Sequence, residues 1–213
     1  MSNPPNDCIH LATADVRKIH TEVIAAYGGL QELRAIENVT FRLEGDTGHR
    51  NQSKKTFVFD RTPYNAEYII DSKNTRYRQQ QDGHYPGGFD WVNGFAINKT
   101  EGVSWDVIRG TFNPIPNVPA PNFRGRLRMF PHFVVLNAAE RSSRLRYIGT
   151  ARIEGRPHSV VSYANEDAVE ISLYIDDKTG LLSRHEVSTT DAFAGDVTFE
   201  MNFTGYRQEN GRW

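Results

Sequence analysis

The sequence predicts an α+β fold, in which a curved antiparallel β-sheet, or half-barrel, carries helices packed on its concave face. Three observations support this prediction. Stretches that alternate apolar and polar residues recur about every eight to twelve residues over most of the chain. Phe, Trp and Tyr make up 11% of the residues, and aromatic side chains favour strands. Short turns join the stretches without intervening helices, so each strand is expected to pair antiparallel with the next.

Two short helices are expected near the N-terminus. Residues 1–12 predict a flexible lead rich in Pro and Asn, and Thr13 is the expected N-cap of the first helix. An apolar stripe at three- and four-residue spacing is formed by Val16, Ile19, Val23, Ala26 and Tyr27. Gly28-Gly29 should end this helix, because the residue after a helix often has φ > 0. Residues 30–36 predict a second helix.

A series of strands is expected in the middle of the chain. They cover residues 38–44, 56–60, 64–71, 74–81, 89–97 and 103–108. The stretch 111–121 holds four of the ten prolines. Because proline cannot donate to a strand ladder, this stretch predicts an irregular lid or crossover loop.

A third helix and a second set of strands complete the expected fold. Proline suits the first turn of a helix, so Pro131–Glu140 is the expected helix. The later strands cover residues 144–153, 158–163, 168–175, 181–188 and 197–206. Asn210-Gly211 is typical of a type I′ hairpin turn, yet only Arg212 and Trp213 follow it. We therefore expect one domain over residues 13–213 that lacks its final strand or strands.

Composition argues against several partner classes. The net charge is −1, and 25 basic residues are interleaved with 26 acidic ones, so neither nucleic acid nor an anionic membrane is an expected partner. The single cysteine, Cys8, allows no internal disulfide. No apolar run reaches the length of a signal peptide or a membrane span. These observations favour a cytoplasmic location.

Few residues suggest catalysis. None of the histidines lies in an H-x-H or H-E-x-x-H motif, so no metal ligand or cofactor is expected in this chain. His132, at the start of the third helix, is the best candidate for acid–base chemistry. Arg128 belongs to a basic cluster with Arg124 and Arg126 that could bind an anion. The favoured interpretation of that cluster is a solvated helix face.

Aromatic residues suggest a ligand cavity. A curved sheet covered by helices leaves a space between the two layers, and aromatic side chains there could hold an apolar ligand. The candidates are Trp91, Trp105, Phe95 and Phe130. The alternative is that these side chains fill the space as ordinary core.

Several short motifs resemble a known fold. Ala26-Tyr27-Gly28-Gly29-Leu30, followed by a strand ending in Glu44-Gly45, resembles the opening of lipoprotein-localisation-factor (LolA/LolB-like) domains. Leu173-Tyr174-Ile175-Asp176 resembles the late hairpin of that fold, and Phe203-Thr204-Gly205-Tyr206-Arg207 resembles its last strand. The combination, over about residues 13–211, is more similar still to the N-terminal accessory domain of metallo-β-lactamase-fold hydrolases.

The resemblance implies a non-catalytic accessory module of a larger hydrolase, which would shape substrate access or a dimer contact. Zinc would belong to a downstream catalytic domain, because the H-x-H-x-D-H motif is absent here. The alternative is a free-standing, cofactor-independent small-molecule enzyme or an apolar-ligand-binding protein, with His132, Arg128 and Trp105 at the site. The expected partners are a downstream catalytic domain, a second copy, or an apolar or aromatic small molecule.

Overall fold

The computed structural model describes Val16, Gly125, Leu127 and residues 21–49, 60–118, 130–191 and 195–208, with the backbone alone at 47, 49, 189 and 191. The chain divides into two compact units. Unit 1 comprises Met1–Ala35 and Arg128–Trp213, and unit 2 comprises Ile36–Leu127. Each unit contains one antiparallel sheet. The mostly antiparallel β architecture is confirmed, but two sheets replace the single curved sheet that the sequence predicts.

Unit 2 is a six-stranded meander in which each strand pairs with its neighbours in the chain. Its strands are β1 (Asn38–His49), β2 (Asp60–Asp71), β3 (Arg76–His84), β4 (Asp90–Asn98), β5 (Glu101–Asp106) and β6 (Thr111–Ile115). The predicted strand 56–60 falls almost wholly outside the described residues, and only Asp60 is seen, at the start of β2.

The expected loop at 111–121 is wrong at its beginning. Thr111–Ile115 forms the edge strand β6 and pairs with β5, with Ile115 opposite Gly102 and Phe112 opposite Trp105. An edge strand needs ladder partners on one side only, so it tolerates Pro114 where a central strand would not. The proline content is therefore compatible with an edge strand, and it did not require a loop over residues 111–115.

The two faces of the unit 2 sheet differ in chemistry. On one face the rings of Phe41, Tyr68, Tyr77 and Phe95 form a row across four strands, with successive centroids 5.9, 6.3 and 5.3 Å apart. On the other face Glu67 bridges two arginines of the neighbouring strands, at 3.1 Å from Arg42 and 3.2 Å from Arg78. Strand alternation separates the apolar row from the ion pairs.

In its described residues, unit 1 combines three α-helices and a short 3-10 helix (Ser142–Arg144) with a five-stranded sheet. The helices are α1 (residues 21–26 as described), α2 (Leu30–Ala35) and α3 (Pro131–Glu140). The strands are β7 (Arg146–Ile153), β8 (Arg156–Ala164), β9 (Glu170–Asp176), β10 (Leu182–Asp191) and β11 (Gly195–Asn202), in the spatial order β11-β10-β9-β8-β7. The predicted bounds of α3 are confirmed, and the predicted end of α1 agrees with Gly28 and Gly29 at φ values of 84° and 101°.

The core of unit 1 lies between its helices and one face of its sheet. Val134, Val135 and Ala138 of α3 pack with buried strand residues of that face. These strand residues are Val161, Tyr163, Ile171, Leu173, Ile175 and Val187. Among the residues that the structure describes, no helix is long and apolar enough to cross a membrane.

Candidate functional site

His132 is the second residue of α3. Its ring lies 4.3 Å from the ring of Phe133, and burial lowers its pKa to about 4. Its Nε2 atom is buried, and no described residue forms a hydrogen bond with it. The imidazole is therefore neutral at pH 7. Arg128, its predicted companion, lies outside the described residues together with Arg124, Arg126 and the Asn210-Gly211 turn, so a joint site of His132 and Arg128 stays a prediction.

The four predicted cavity residues do not all share one face. Trp91 lies over Gly83. Trp91 and Phe95 are an even number of positions apart in β4, so their side chains are on the same face of the sheet. Trp105 lies over Gly94, its partner in β5–β4 pairing, and so is on the opposite face. Phe130 belongs to unit 1, where it is buried at the N-cap of α3. Their role in binding stays a prediction.

An apolar cleft, which the prediction did not define, lies in unit 1 between the helices and the sheet. Its lining residues are Val16, Val23, Ile24, Val135, Ala138, Ala139, Leu145, Val161, Leu173 and Ile175. All are aliphatic, and they come from α1, α3, β8, β9 and the segment before β7. We call this space the helix–sheet cleft.

The helix–sheet cleft has a buried floor and a half-buried mouth. Val161, Leu173 and Ile175 form a floor that solvent does not reach, whereas Ile24 and Leu145 are partly exposed. The free volume is about 20 Å³, which is room for roughly one water molecule. Because no polar side chain lines this space, a water there would find few hydrogen-bond partners.

A hydrogen-bonded triangle fixes the end of α1 beside the cleft. Tyr27 and Tyr206 join their hydroxyls at 2.9 Å, the Tyr206 hydroxyl donates to the Leu182 carbonyl at 2.8 Å, and the Leu182 N–H approaches the Tyr27 oxygen at 3.4 Å. Burial raises the pKa of Tyr27 to about 12 and also raises that of Tyr206. Both hydroxyls therefore stay protonated and able to donate.

The far end of α3 is held by polar contacts. Arg141 forms an ion pair with Glu166 at 2.8 Å, and the Asn137 side-chain amide donates to the same carboxylate at 3.2 Å. Arg34 of α2 reaches Glu140 at 3.4 Å. These contacts fix the C-terminal end of α3 to the turn between β8 and β9 and to α2.

A larger groove of about 350 Å³ lies beside α1, and the aspartates that line it already have partners. Asp176 accepts hydrogen bonds from the N–H groups of Lys178 and Thr179 and pairs with Arg156 at 2.8 Å. Burial alone would raise the pKa of Asp176, but these donors and the guanidinium outweigh it and lower that pKa. Ser159 donates to Asp177 at 2.7 Å. These contacts stabilise the turn between β9 and β10, which forms one side of the groove.

A metal site has no support within the described part of the chain, where no group of three or more His, Cys, Asp or Glu could hold an ion. The most buried histidines have structural contacts. His158 bonds the Arg156 carbonyl and Ser183 Oγ, both at 2.9 Å, and the His185 ring lies 5.6 Å from that of Phe203. The expectation of no cofactor stays a prediction.

No family model and no curated protein matches the chain. Among solved structures, it is similar to a DUF1329 family protein from Desulfovibrio piger ATCC 29098, with 9% identity over 93% of this chain and 82% of that chain and a TM-score of 0.46. It is also similar to MucB, with 15% identity over 88% of this chain and 56% of the MucB chain and a TM-score of 0.32. The Pseudomonas aeruginosa MucA/MucB complex gives 14% identity, 88% and 55% coverage and a TM-score of 0.30. The chain thus spans about half the length of MucB.

These comparisons bear on four predictions. The neighbours are LolA/LolB-like folds, as the resemblance implies, but no link to metallo-β-lactamase domains is found. The assignment to an accessory module of a hydrolase is wrong, because the neighbours are free-standing DUF1329 and MucB proteins. A downstream catalytic domain is not shown by these comparisons. The predicted cytoplasmic location is contradicted, since the similar structures include MucB in complex with MucA(peri).

The sequence contained the components of the cleft without showing that they meet. Val23 belongs to the predicted stripe of α1, and Ala138 lies within the predicted helix Pro131–Glu140. Leu173 and Ile175 lie within the predicted strand of residues 168–175. The sequence gives no signal that these three elements pack together, because the periodicity of an element depends only on its own residues.

Proposed function

We propose that the chain is a binding protein that holds the apolar part of a ligand in the helix–sheet cleft of unit 1. The observation that carries this proposal is the wholly aliphatic lining of a cleft that opens at Ile24 and Leu145. Apolar concave sites are the usual form of small-molecule binding sites in proteins.

The lining selects the ligand by shape and apolar character. Val, Ile, Leu and Ala offer no hydrogen bond, so an unbranched alkyl chain fits the chemistry better than a polar or aromatic group. Each methylene that leaves water contributes about 0.8 kcal/mol before the costs of association. A polar head group would remain outside the mouth.

Binding requires the cleft to widen, because its free volume holds only about one water molecule. α3 is fixed at its C-terminal end by Arg141 and Asn137, and α1 is fixed at Tyr27. We expect the cleft to widen at its mouth, where Ile24 and Leu145 are partly exposed.

The experiment measures binding of dansyl-undecanoic acid by its fluorescence. The wild-type protein should bind the probe with a blue shift in emission. Ala138→Leu places an isobutyl group in the cleft and should weaken binding at least about tenfold. Val135→Ala removes two methyl groups from the lining and should strengthen binding, although it destabilises the fold by about 1–3 kcal/mol.

The matched control is Ala25→Leu, which adds the same side chain at an exposed position of α1 outside the cleft lining. Its affinity for the probe should equal that of the wild type. The proposal is wrong if the probe does not bind, or if Ala138→Leu and Ala25→Leu weaken binding equally. Circular dichroism of each variant shows whether the fold is retained.

A further inference from the structure

Ser183 and His158 form a hydrogen-bonded pair on the sheet of unit 1. Ser183 Oγ lies 2.9 Å from Nε2 of His158, and Nδ1 of the same ring lies 2.9 Å from the Arg156 carbonyl oxygen. A carbonyl oxygen can only accept, so Nδ1 carries the ring hydrogen. In the neutral imidazole Nε2 then has a lone electron pair, and the Ser183 hydroxyl donates to it. The serine is therefore bonded to a group that can take its proton.

The fold brings Ser183 towards solvent and keeps His158 behind it. The register of β10 against β9 shifts between Leu182 and Arg184, which makes Ser183 an extra residue in β10. Such β-bulges re-aim a side chain and are over-represented next to active sites. Ser183 is partly exposed, whereas His158 is 0% exposed. A molecule that arrives from solvent would therefore meet the hydroxyl first.

A carboxylate lies beside the imidazole. Asp176 is directly opposite His158 in the β8–β9 ladder. Burial raises the pKa of Asp176, but hydrogen bonds from two backbone N–H groups and the charges of Arg156 and His158 outweigh it, so the carboxylate is ionised at pH 7. A positive charge on His158, formed while the ring holds the serine proton, is thus opposite a negative one. Serine, histidine and aspartate have these roles in hydrolases of unrelated folds, where geometry and not sequence position identifies them.

The pair is separate from the helix–sheet cleft. Val161 of β8 belongs to the floor of the cleft, and His158 is three residues away in the same strand. The pairing of β8 with β9 is regular over both residues. Side chains an odd number of positions apart in a strand are on opposite faces, so His158 is on the face away from the cleft. The inference below is therefore independent of the proposed function.

We propose that Ser183 is a nucleophile that attacks carboxylic esters, with His158 as its general base. In the first step the Ser183 oxygen bonds to the ester carbonyl carbon and its proton passes to His158 Nε2. The bond to the leaving alcohol then breaks, and the alcohol oxygen takes that proton. In the second step a water molecule attacks the acyl-serine and gives a proton to His158, which returns it to Ser183 as the acid leaves. Esters are the expected class because an alkoxide leaves more easily than an amide nitrogen.

The test is labelling of the full chain with a fluorophosphonate, in which phosphorus takes the place of the ester carbonyl carbon. The Ser183 oxygen would bond to phosphorus and displace fluoride, and mass spectrometry of the peptides locates the adduct. The wild type should be labelled at Ser183, and labelling should stop in urea, where the pair is no longer aligned. His158→Asn keeps an N–H group for the Arg156 carbonyl and should slow labelling at least about a hundredfold.

The matched control is Ser159→Ala, because Ser159 is a partly exposed serine of the same sheet that donates to Asp177 instead of a histidine. Its labelling should equal that of the wild type. Hydrolysis of p-nitrophenyl acetate should rank the proteins in the same order and should be lost in Ser183→Ala. The proposal is overturned if the folded wild type forms no adduct at Ser183, if His158→Asn is labelled as fast as the wild type, or if Ser183→Ala retains the hydrolysis. The wild-type adduct decides the question even where a variant does not fold.

Discussion

Two glycines make room for the tryptophans of unit 2. A Cβ atom at Gly83 would lie 2.5 Å from Trp91 Cζ2, and one at Gly94 would lie 2.6 Å from Trp105 Cζ2. At Gly94 the added atom would also overlap the carbonyl oxygen of Gln79 in the neighbouring strand. A backbone atom cannot move aside as a flexible side chain does, so Gly94 is the more constrained position.

We predict that Gly94→Ala destabilises the protein by roughly 2–4 kcal/mol, because both Trp105 and the β3 backbone would have to shift. Gly48→Ala is the control, since no described atom lies within 4 Å of a Cβ at that strand position. Its effect should be neutral or stabilising by up to about 1 kcal/mol. Urea unfolding of both variants tests the difference, and equal free energies of unfolding would contradict it.

His132 should make stability depend on pH. Burial lowers its pKa in the folded protein to about 4, below the ordinary value of 6.5 in the unfolded chain. Between these values the unfolded state binds the proton and the folded state does not, so stability is complete above pH 6.5 and falls as the pH approaches 4. The loss is at most roughly 3 kcal/mol, and partial exposure of the ring reduces it.

We predict that His132→Gln removes this part of the pH dependence, because Gln does not titrate. The measurement compares the free energy of unfolding of wild type and variant between pH 7 and pH 4. The wild type should lose more stability over this interval than the variant. Parallel curves would show that His132 is not the titrating group.

At the scale of elements, the Tyr27–Tyr206–Leu182 triangle joins the end of α1 to the segment after β11. Each hydroxyl donates once within the triangle, and the rings of the two tyrosines also meet edge to face at 6.4 Å. Without the Tyr206 hydroxyl the Leu182 carbonyl loses its donor, and without the Tyr27 hydroxyl the Tyr206 hydroxyl loses its donor. Either change leaves a polar group unsatisfied. The two tyrosines should therefore be energetically coupled.

We predict that Tyr206→Phe costs about 1–2 kcal/mol of stability and Tyr27→Phe about 1 kcal/mol. The double variant should lose less than the sum, with a coupling energy of about 0.5–1 kcal/mol or more. A double-mutant cycle by urea unfolding measures this energy. Additive losses would show that the two hydroxyls stabilise the fold separately.

Local sequence signals defined most elements of this chain. Pro131 at the first turn predicted α3, and the Gly28-Gly29 pair predicted the end of α1, because both effects are set by a residue's own backbone preference. β6 was missed because Pro114 reads as a strand breaker until the strand is known to be an edge. Edge position is a property of the sheet and has no local signal.

For the whole molecule, the sequence predicted the antiparallel architecture and a space between helices and sheet, but neither the division into two sheets nor the residues that line the helix–sheet cleft. Both depend on which elements meet across long stretches of chain, as when Val23 packs near Leu173 in the core of unit 1. The exposed phenylalanines at one end of the unit 2 sheet have the same origin. Phe89 begins a predicted strand and Phe112 lies in the predicted loop 111–121, and only the meander brings them to one end of the sheet.

The central claim is that the helix–sheet cleft binds an alkyl chain, and methyl NMR during titration with decanoic acid tests it most directly. The methyl resonances of Ile24, Leu145 and Ile175 should shift with one common saturation curve, because these side chains line the cleft. Those of Ile69 and Ile148, which are exposed elsewhere, should not move. No shift in the cleft methyl groups, or equal shifts at all five residues, would contradict the account.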